Sequence, residues 1–297
     1  MYPRAFQYHR ASSFREAAEM LSQLGDEAKP LAGGQSLMPL MKLRFANPAH
    51  LVDLNFIKGI SYLKEENGSI RIGALTRHAE IEYSATACRI PILHDCAAGL
   101  ADVQVRNRGT IGGSLAEADP SGDWATVLMT LSAKIQCVGR SGERTIDLRD
   151  FVKDAYTTAL DHDELVSEIS IQIPSKGTGG AYIAFKRTAP VYPTASAAVQ
   201  LLLEGETCKE VAIALGCVGL MPVRPSEAEN ALRGQRISEK TIAAAAEAAR
   251  TAGDPQSDMR GTADYKRQVV GAIVKRAIEA AVRRARGQQV EVSHLYA

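Results

Sequence analysis

Two short loops, each carrying a pair of adjacent glycines, constrain this chain more than any other feature. The first is Leu31-Ala32-Gly33-Gly34-Gln35-Ser36-Leu37, and the second is Thr110-Ile111-Gly112-Gly113-Ser114-Leu115. Each follows an apolar or extended stretch and ends in a small hydroxyl residue before a helical turn. Adjacent glycines let backbone N–H groups converge with no Cβ in the way. Beside a Ser or Thr hydroxyl and a helix start, such N–H groups form an anion site. Two loops together would grip both phosphates of a dinucleotide. The plainer reading of the same residues is two tight turns with no ligand. Neither loop matches G-x-G-x-x-G or G-x-x-x-x-G-K-[ST], so a dinucleotide here would be held in another way.

The stretches around the loops read as mixed α and β structure. Ser13 and Glu16 form an S-x-x-E capping box before a helix that carries Phe14, Ala17, Ala18, Leu21 and Leu24 and stops at Gly25. Short strands at 30–32 and 51–54 complete a first unit to about residue 57. A second unit opens with a hairpin, 60–63 against 70–73, around Asn67-Gly68, a type I′ turn signal. A helix over 92–100, the second glycine loop, a helix over 123–131 and a hairpin of 134–138 with 145–148 follow. Residues 175–180 (SKGTGG) read as a linker. Three strands, 181–186, 195–203 and 211–218, and two helices, 238–251 and 262–286, then form an α+β module. A length of 297 residues fits two domains. We expect a division into 1–175, with subdomains of about 1–57 and 58–175, and 176–297.

Charge and composition exclude several functions. Thirty-five Lys+Arg balance 34 Asp+Glu, which argues against a nucleic-acid partner. Aromatics at 5% offer no broad stacking platform. The cysteines at 88, 96, 137, 208 and 217 lack the C-x2-C spacing of zinc and iron–sulfur sites, and their odd number disfavours a disulfide framework. We expect reduced thiols, a cytoplasmic location, no membrane span and no targeting segment. The histidines at 9, 50, 78, 94, 162 and 294 show no paired spacing, so no metal site is expected. Asp161, Asp163 and Glu164 read as a solvated turn rather than a cation loop. Arg283, Arg284 and Arg286 complement a helix dipole first, and form a subunit-docking patch second.

The segments AGGQSLMP at 32–39 and TIGGSLAEADPSGD at 110–123 resemble the two flavin loops of the FAD-binding medium subunit of molybdenum hydroxylases. That family includes carbon monoxide dehydrogenase, xanthine dehydrogenase and enzymes that oxidise nicotine, caffeine and quinoline. The resemblance spans essentially the whole chain, including Tyr265-Lys266-Arg267 and Lys275-Arg276-Ala277 of the last helix. It implies an α+β fold: a two-part FAD-binding domain of the vanillyl-alcohol-oxidase-like (PCMH) type, then a smaller domain with a three-stranded antiparallel sheet and helices.

The resemblance also implies roles for named residues. Ala32, Gly33, Gly34, Gln35, Ser36 and Leu37, with Thr110, Ile111, Gly112, Gly113 and Ser114, would hold the pyrophosphate and ribityl region of a non-covalent FAD. Asp123 would accept hydrogen bonds from sugar or ribityl hydroxyls; a helix N-cap is its plain alternative. Lys186 would lie near the flavin, or be a solvated lysine at a strand end. Tyr192 would stack on the isoalloxazine ring, or pack before Pro193 in a loop. Ser114, Glu117 and Gln35 stand where relatives carry Asn, His and His, which puts the redox potential in doubt more than FAD binding. The implied function is electron transfer from the [2Fe–2S] clusters of a small partner subunit to an external acceptor. Molybdopterin would sit in a large partner, in a dimer of heterotrimers, and this chain would hold no catalytic acid, base or nucleophile. The rival is a stand-alone flavin-dependent oxidase or reductase of the same flavin fold. Such oxidases often tether flavin through His or Cys, and neither loop contains either.

Overall fold

Among the described residues three large sheets, beside one two-stranded ribbon, organise the chain, and the third large sheet ties the two halves together. The computed structural model describes residues 2–188, 191–292 and 295–296. The first sheet is parallel, in the order β1 (Gln7–Arg10), β3 (His50–Asp53), β2 (Ala28–Leu31), with α1 (Phe14–Leu24) packed on it and α2 (Leu37–Leu43) leading from β2 to β3. Ala17, Ala18 and Leu21 supply the buried face of α1. Ser13 caps this helix through Glu16 N at 3.1 Å. The Glu16 carboxylate, however, reaches back to Ser12, with Oγ at 2.5 Å and N at 2.7 Å. Only half of the expected capping box forms, because Ser12 offers two donors to the carboxylate where Ser13 offers one.

The second sheet is antiparallel and five-stranded: β4 (Leu63–Glu66), β5 (Ser69–Gly73), β10 (Leu165–Gln172), β6 (Lys134–Gly139), β7 (Gly142–Asp147). Between β5 and β6 run α3 (His78–Glu82), α4 (Ala85–Cys88), α5 (Pro91–Gly99), α6 (Val103–Arg108), α7 (Ile111–Glu117) and α8 (Asp123–Thr130). Between β7 and β10 lie α9 (Leu148–Phe151), β8 (Val152–Asp154) and β9 (Thr157–Thr158). Asn67 and Gly68 both have positive φ, 50° and 74°, as a type I′ turn demands. That tight turn fixes the first strand at 63–66 rather than 60–63. In the second hairpin Gly139 pairs with Gly142, leaving a two-residue turn. The central strand, β10, has no counterpart in the sequence reading. Glu168 breaks its apolar run, but the carboxylate is neutralised by Arg71 Nε at 2.8 Å and accepts from Tyr62 Oη at 2.5 Å. A paired acid can be buried where a lone one cannot.

The third sheet has the order β13 (Thr207–Gly216), β12 (Ala195–Glu204), β11 (Thr178–Lys186), β14 (Leu295–Tyr296). Its first three strands are antiparallel, as expected, and the two-residue β14 adds a parallel fourth. After β13 come α10 (Ser226–Asn230), α11 (Glu239–Arg250) and α12 (Ala263–Ala285). Gly179 and Gly180, read as linker, lie inside β11. A Cβ on Gly179 would stand 2.0 Å from the Ala281 carbonyl oxygen, so glycine is what lets α12 lie directly on the strand.

Alternation along β11 decides how the halves join. Ala181 and Ile183 enter a core with α11 and α12. Tyr182 and Ala184 enter the core that contains Ile92, Leu93 and Trp124 of the first half. The period of two therefore sends successive side chains into different interiors. The sheet is covered by α12 on one face and by α5 and α8 on the other.

A buried ion pair locks this junction. Arg284 and Asp95 are only 8% and 3% exposed at their side chains. Arg284 Nη1 donates to Asp95 Oδ2 at 2.6 Å and to the Gly180 carbonyl at 2.7 Å. Its Nη2 donates to Asp95 Oδ1 at 2.9 Å and to the Val290 carbonyl at 2.6 Å, and Nε reaches that same carbonyl at 3.1 Å. All five guanidinium N–H groups are thus satisfied. Arg284 is an internal clasp rather than part of a basic surface patch; Arg286 stays outside, paired with Glu206 at 2.7 Å. Among the described residues, no helix is long and apolar enough to cross a membrane.

Candidate functional site

The first glycine loop joins β2 to α2. Gly34 holds φ at +72°, a conformation that favours glycine. The amides of Gly33, Gly34, Gln35, Ser36 and Leu37 donate to no acceptor among the described residues. Five consecutive free donors at a half-buried loop are a strong invitation to an anion, because an unpaired backbone N–H is costly once water is excluded.

The second loop differs. Ile111 N donates to Thr76 O at 3.1 Å, Gly112 N to Ala74 O at 2.9 Å and Ser114 N to Thr110 O at 3.0 Å. Thr110 Oγ1 caps α7 by accepting from Gly113 N at 3.1 Å. Its amides are engaged inside the protein, and Gly113 and Ser114 are its partly exposed members. The sequence gives the loops equal standing; the structure makes the first the source of free N–H donors.

The loops also touch. A Cβ on Gly33 would lie 2.2 Å from the Arg108 carbonyl oxygen and 2.8 Å from Gly109 Cα, just ahead of the second loop. A Cβ on Gly112 would lie 2.7 Å from the Ala74 carbonyl oxygen. At these two positions the missing side chain makes room for protein backbone, not only for a ligand.

Behind the second loop sits His78, which sequence reasoning did not single out. It is buried, and its Nδ1 accepts from Trp124 Nε1 at 3.0 Å. Burial first, then Arg77 and Arg106, push its pKa down to about 3. The folded histidine therefore stays neutral until about pH 3, whereas in the unfolded chain it protonates near 6.5. Its contribution is whole above pH 6.5 and is lost as pH falls from 6.5 toward 3. We expect His78→Asn, which keeps an acceptor for Trp124, to flatten the fall of the unfolding midpoint over that interval. An unchanged acid slope would assign the titration to another group.

A second group of residues gathers where the segment 110–123 reaches the third sheet. Asp123 is the first residue of α8, and Gly122 is the cap, so the N-cap alternative does not hold. Its buried carboxylate accepts from Tyr182 Oη at 2.5 Å. Burial raises the Asp123 pKa, and the charge of Lys186 opposes that rise. Lys186 is 1% exposed and donates from Nζ to the Gly99 carbonyl at 2.6 Å, so it is not a solvated strand-end lysine. The strand end faces the first half of the chain rather than water. Tyr192 is 52% exposed; its phenol pKa is raised by partial burial and by the nearby Asp119 carboxylate. Arg260 ties this region together, donating to Ser121 Oγ at 3.0 Å and to the Pro193 carbonyl at 3.4 Å. Glu117 is pushed up by burial and by Asp119.

Other titratable residues cluster elsewhere: buried Glu229 pairs with Arg224 and Arg233, and Asp258 pairs with buried Lys266 at 2.9 Å. His9 and His50 meet across β1 and β3, with Nε2 and Nδ1 3.0 Å apart, a pairing that the sequence spacing did not reveal. Among the described residues, no three His, Cys, Asp or Glu side chains converge as metal ligands, and His294 lies outside the described residues. Glu164 is paired with Arg144 at 2.5 Å, closing the acidic turn.

Comparison with known proteins decides the family. Residues 4–176 match the family described as "FAD binding domain in molybdopterin dehydrogenase". The chain belongs to that family. Residues 180–281 match a second family, the CO dehydrogenase flavoprotein C-terminal domain. The carbon monoxide dehydrogenase medium chain of Afipia carboxidovorans is 39% identical over 96% of this chain and 100% of its own length. The solved carbon monoxide dehydrogenase of Hydrogenophaga pseudoflava, a form lacking the Mo-pyranopterin moiety, superposes with a TM-score of 0.93 at 40% identity, over 96% of this chain and 99% of that one. Quinoline 2-oxidoreductase of Pseudomonas putida 86 gives 0.91 at 33% identity, over the same shares of the two chains. The flavoprotein family thus accounts for both halves, including the module after residue 176.

Proposed function

We propose that this chain is the FAD-binding, electron-transferring subunit of a multi-subunit molybdenum hydroxylase. The observation that carries the reading is the match of 4–176 and 180–281 to the two flavoprotein families, and it is supported by the free amides of 33–37 in the loop that resembles the first flavin loop. The donor set suits a dinucleotide pyrophosphate: consecutive N–H groups with no carboxylate among residues 32–37. Ala32 to Leu37 and Thr110 to Ser114 would hold the FAD non-covalently, with Asp123, Lys186 and Tyr192 toward its ribityl and ring portions. FAD contributes a redox centre that exchanges one or two electrons and so joins one-electron clusters to two-electron acceptors. The chain itself binds, orients and shields that centre. Lys186, held buried, would favour negative charge beside it.

The rest of the reading follows the same family. Residues 1–175 form a flavin domain of the vanillyl-alcohol-oxidase-like (PCMH) type, and 176–297 form the smaller domain. A small subunit carries [2Fe–2S] clusters and a large one carries molybdopterin, in a cytoplasmic dimer of heterotrimers that hydroxylates or oxidises its substrate outside this chain. The test is purification of the native complex. Denaturant should release free FAD, and an iron–sulfur chain and a molybdenum chain should co-purify. Flavin that stays with the denatured polypeptide would overturn non-covalent binding. An active oligomer of this chain alone would favour the stand-alone oxidase or reductase.

A further inference from the structure

We propose that Asn55 and Arg77 are a positioning pair that fixes the spacing of the two glycine loops and thereby the affinity for FAD. This rests on the flavin reading above. The link begins at Asp53, the last residue of β3. Its Oδ2 accepts from Tyr8 Oη at 2.5 Å, and its Oδ1 accepts from Asn55 N at 2.8 Å and Asn55 Nδ2 at 2.6 Å. Asn55 is therefore held in one orientation. Its Nδ2 also donates to the Ala32 carbonyl at 2.9 Å, the entry to the first loop. Its Oδ1 accepts from Arg77 Nη2 at 2.5 Å.

Arg77 carries the link to the second loop. Its Nη1 donates to the Arg108 carbonyl, the same oxygen that faces the bare Cα of Gly33. Its own backbone is fixed by Glu80 Oε2 at 2.7 Å, which in turn accepts from Ser61 Oγ at 2.6 Å. Arg77 also bridges to Thr110 through the backbone. One amide and one guanidinium thus span from Ala32 to Arg108. The span needs a fork: two donors at fixed separation reaching two different acceptors, which a lysine cannot supply. Five free amides bind tightly only if the loop that presents them is already in place, and preorganisation of this kind appears directly in affinity.

The test uses the intact complex, stripped of FAD and titrated with FAD by flavin fluorescence. Asn55→Ala and Arg77→Met should each raise the Kd about ten- to a hundredfold, the range for losing a hydrogen bond to a charged group. Arg77→Lys should lose as much as Arg77→Met. The double variant should be no worse than the poorer single, because one link is cut twice. Visible circular dichroism of the bound flavin should change in every variant, and the unfolding midpoint of the FAD-free complex is followed alongside. A lowered midpoint with an unchanged Kd would make the pair merely structural. Wild-type Kd in Arg77→Lys would make Arg77 a plain counter-charge, and additive losses would make the two residues independent; each result overturns the proposal. If Arg77→Met fails to fold, Asn55→Ser carries the same measurement with a smaller change. A wild-type complex that takes up no FAD would sink the flavin reading itself and is distinguishable from all of these.

Discussion

Gly33→Val is expected to empty the flavin site, reducing bound FAD in the purified complex to less than about a tenth of the wild-type content. The new Cβ would sit 2.2 Å from the Arg108 carbonyl oxygen, and neither backbone can step aside without parting the loops. Overpacking of this kind costs about 1–3 kcal/mol even where side chains can yield, and tenfold in affinity is about 1.4 kcal/mol. Gly112→Val should behave alike, since its Cβ meets the Ala74 backbone. Gly34→Ala is the informative contrast. Its φ of +72° costs an alanine about 1–2 kcal/mol, but the atoms its Cβ would meet, Met38 Cγ at 3.2 Å and Leu31 Cδ1 at 3.3 Å, are flexible side-chain ends. It should retain more FAD than either valine variant. The flavin-to-protein absorbance ratio of each complex decides it, and full occupancy in both valine variants would refute the loop assignment.

Arg284→Met should destabilise the folded chain by about 3–5 kcal/mol, the range for breaking a buried ion pair from one side. Asp95 would remain buried with the Tyr182 amide at 3.1 Å as its surviving donor. Burial already raises the Asp95 pKa, and the Arg284 guanidinium is the chief opposing influence. Without it the carboxyl should take up a proton on folding, so the defect should ease at acid pH. Adding Asp95→Asn should recover much of the loss, because a neutral amide still accepts from Tyr182 and leaves no unpaired charge. Denaturant unfolding of the single and double variants measures this. Equal stability of Arg284→Met and wild type would show that the clasp is dispensable.

Local signals carried the parts of the fold that depend on neighbours in sequence. The Asn67-Gly68 turn, the Ser13 cap and the helix expected over 262–286 each rest on residues close in sequence, and each formed. The glycine pairs stand out locally, but their residues alone leave two tight turns as the plainer reading; the structure adds that the backbone amides of 33–37 have no acceptor among the described residues while those of 111–114 do. What stayed hidden depends on partners far along the chain. β10 was missed because Glu168 looks solvent-seeking until Arg71 and Tyr62 come to meet it, 97 and 106 residues away. Lys186 has two plausible fates in sequence, and only the packing of β11 against α5 buries it. Asn55 and Arg77 carry no motif at all. Their roles exist only once β3, α3 and both loops are assembled, and Arg284 likewise gains its partner from 189 residues away.

The alternation along β11 reaches beyond packing. Tyr182 and Ala184 belong to the interior of the first half, although they lie in the sequence of the second. A gene fragment ending near residue 176 would encode a flavin module with an incomplete interior and an unclothed face on α5 and α8. A fragment starting there would expose the opposite side of the sheet. The boundary between the two matched families therefore cuts through a shared interior: the second match, which begins at residue 180, contains Tyr182 and Ala184, side chains that complete the core of the first.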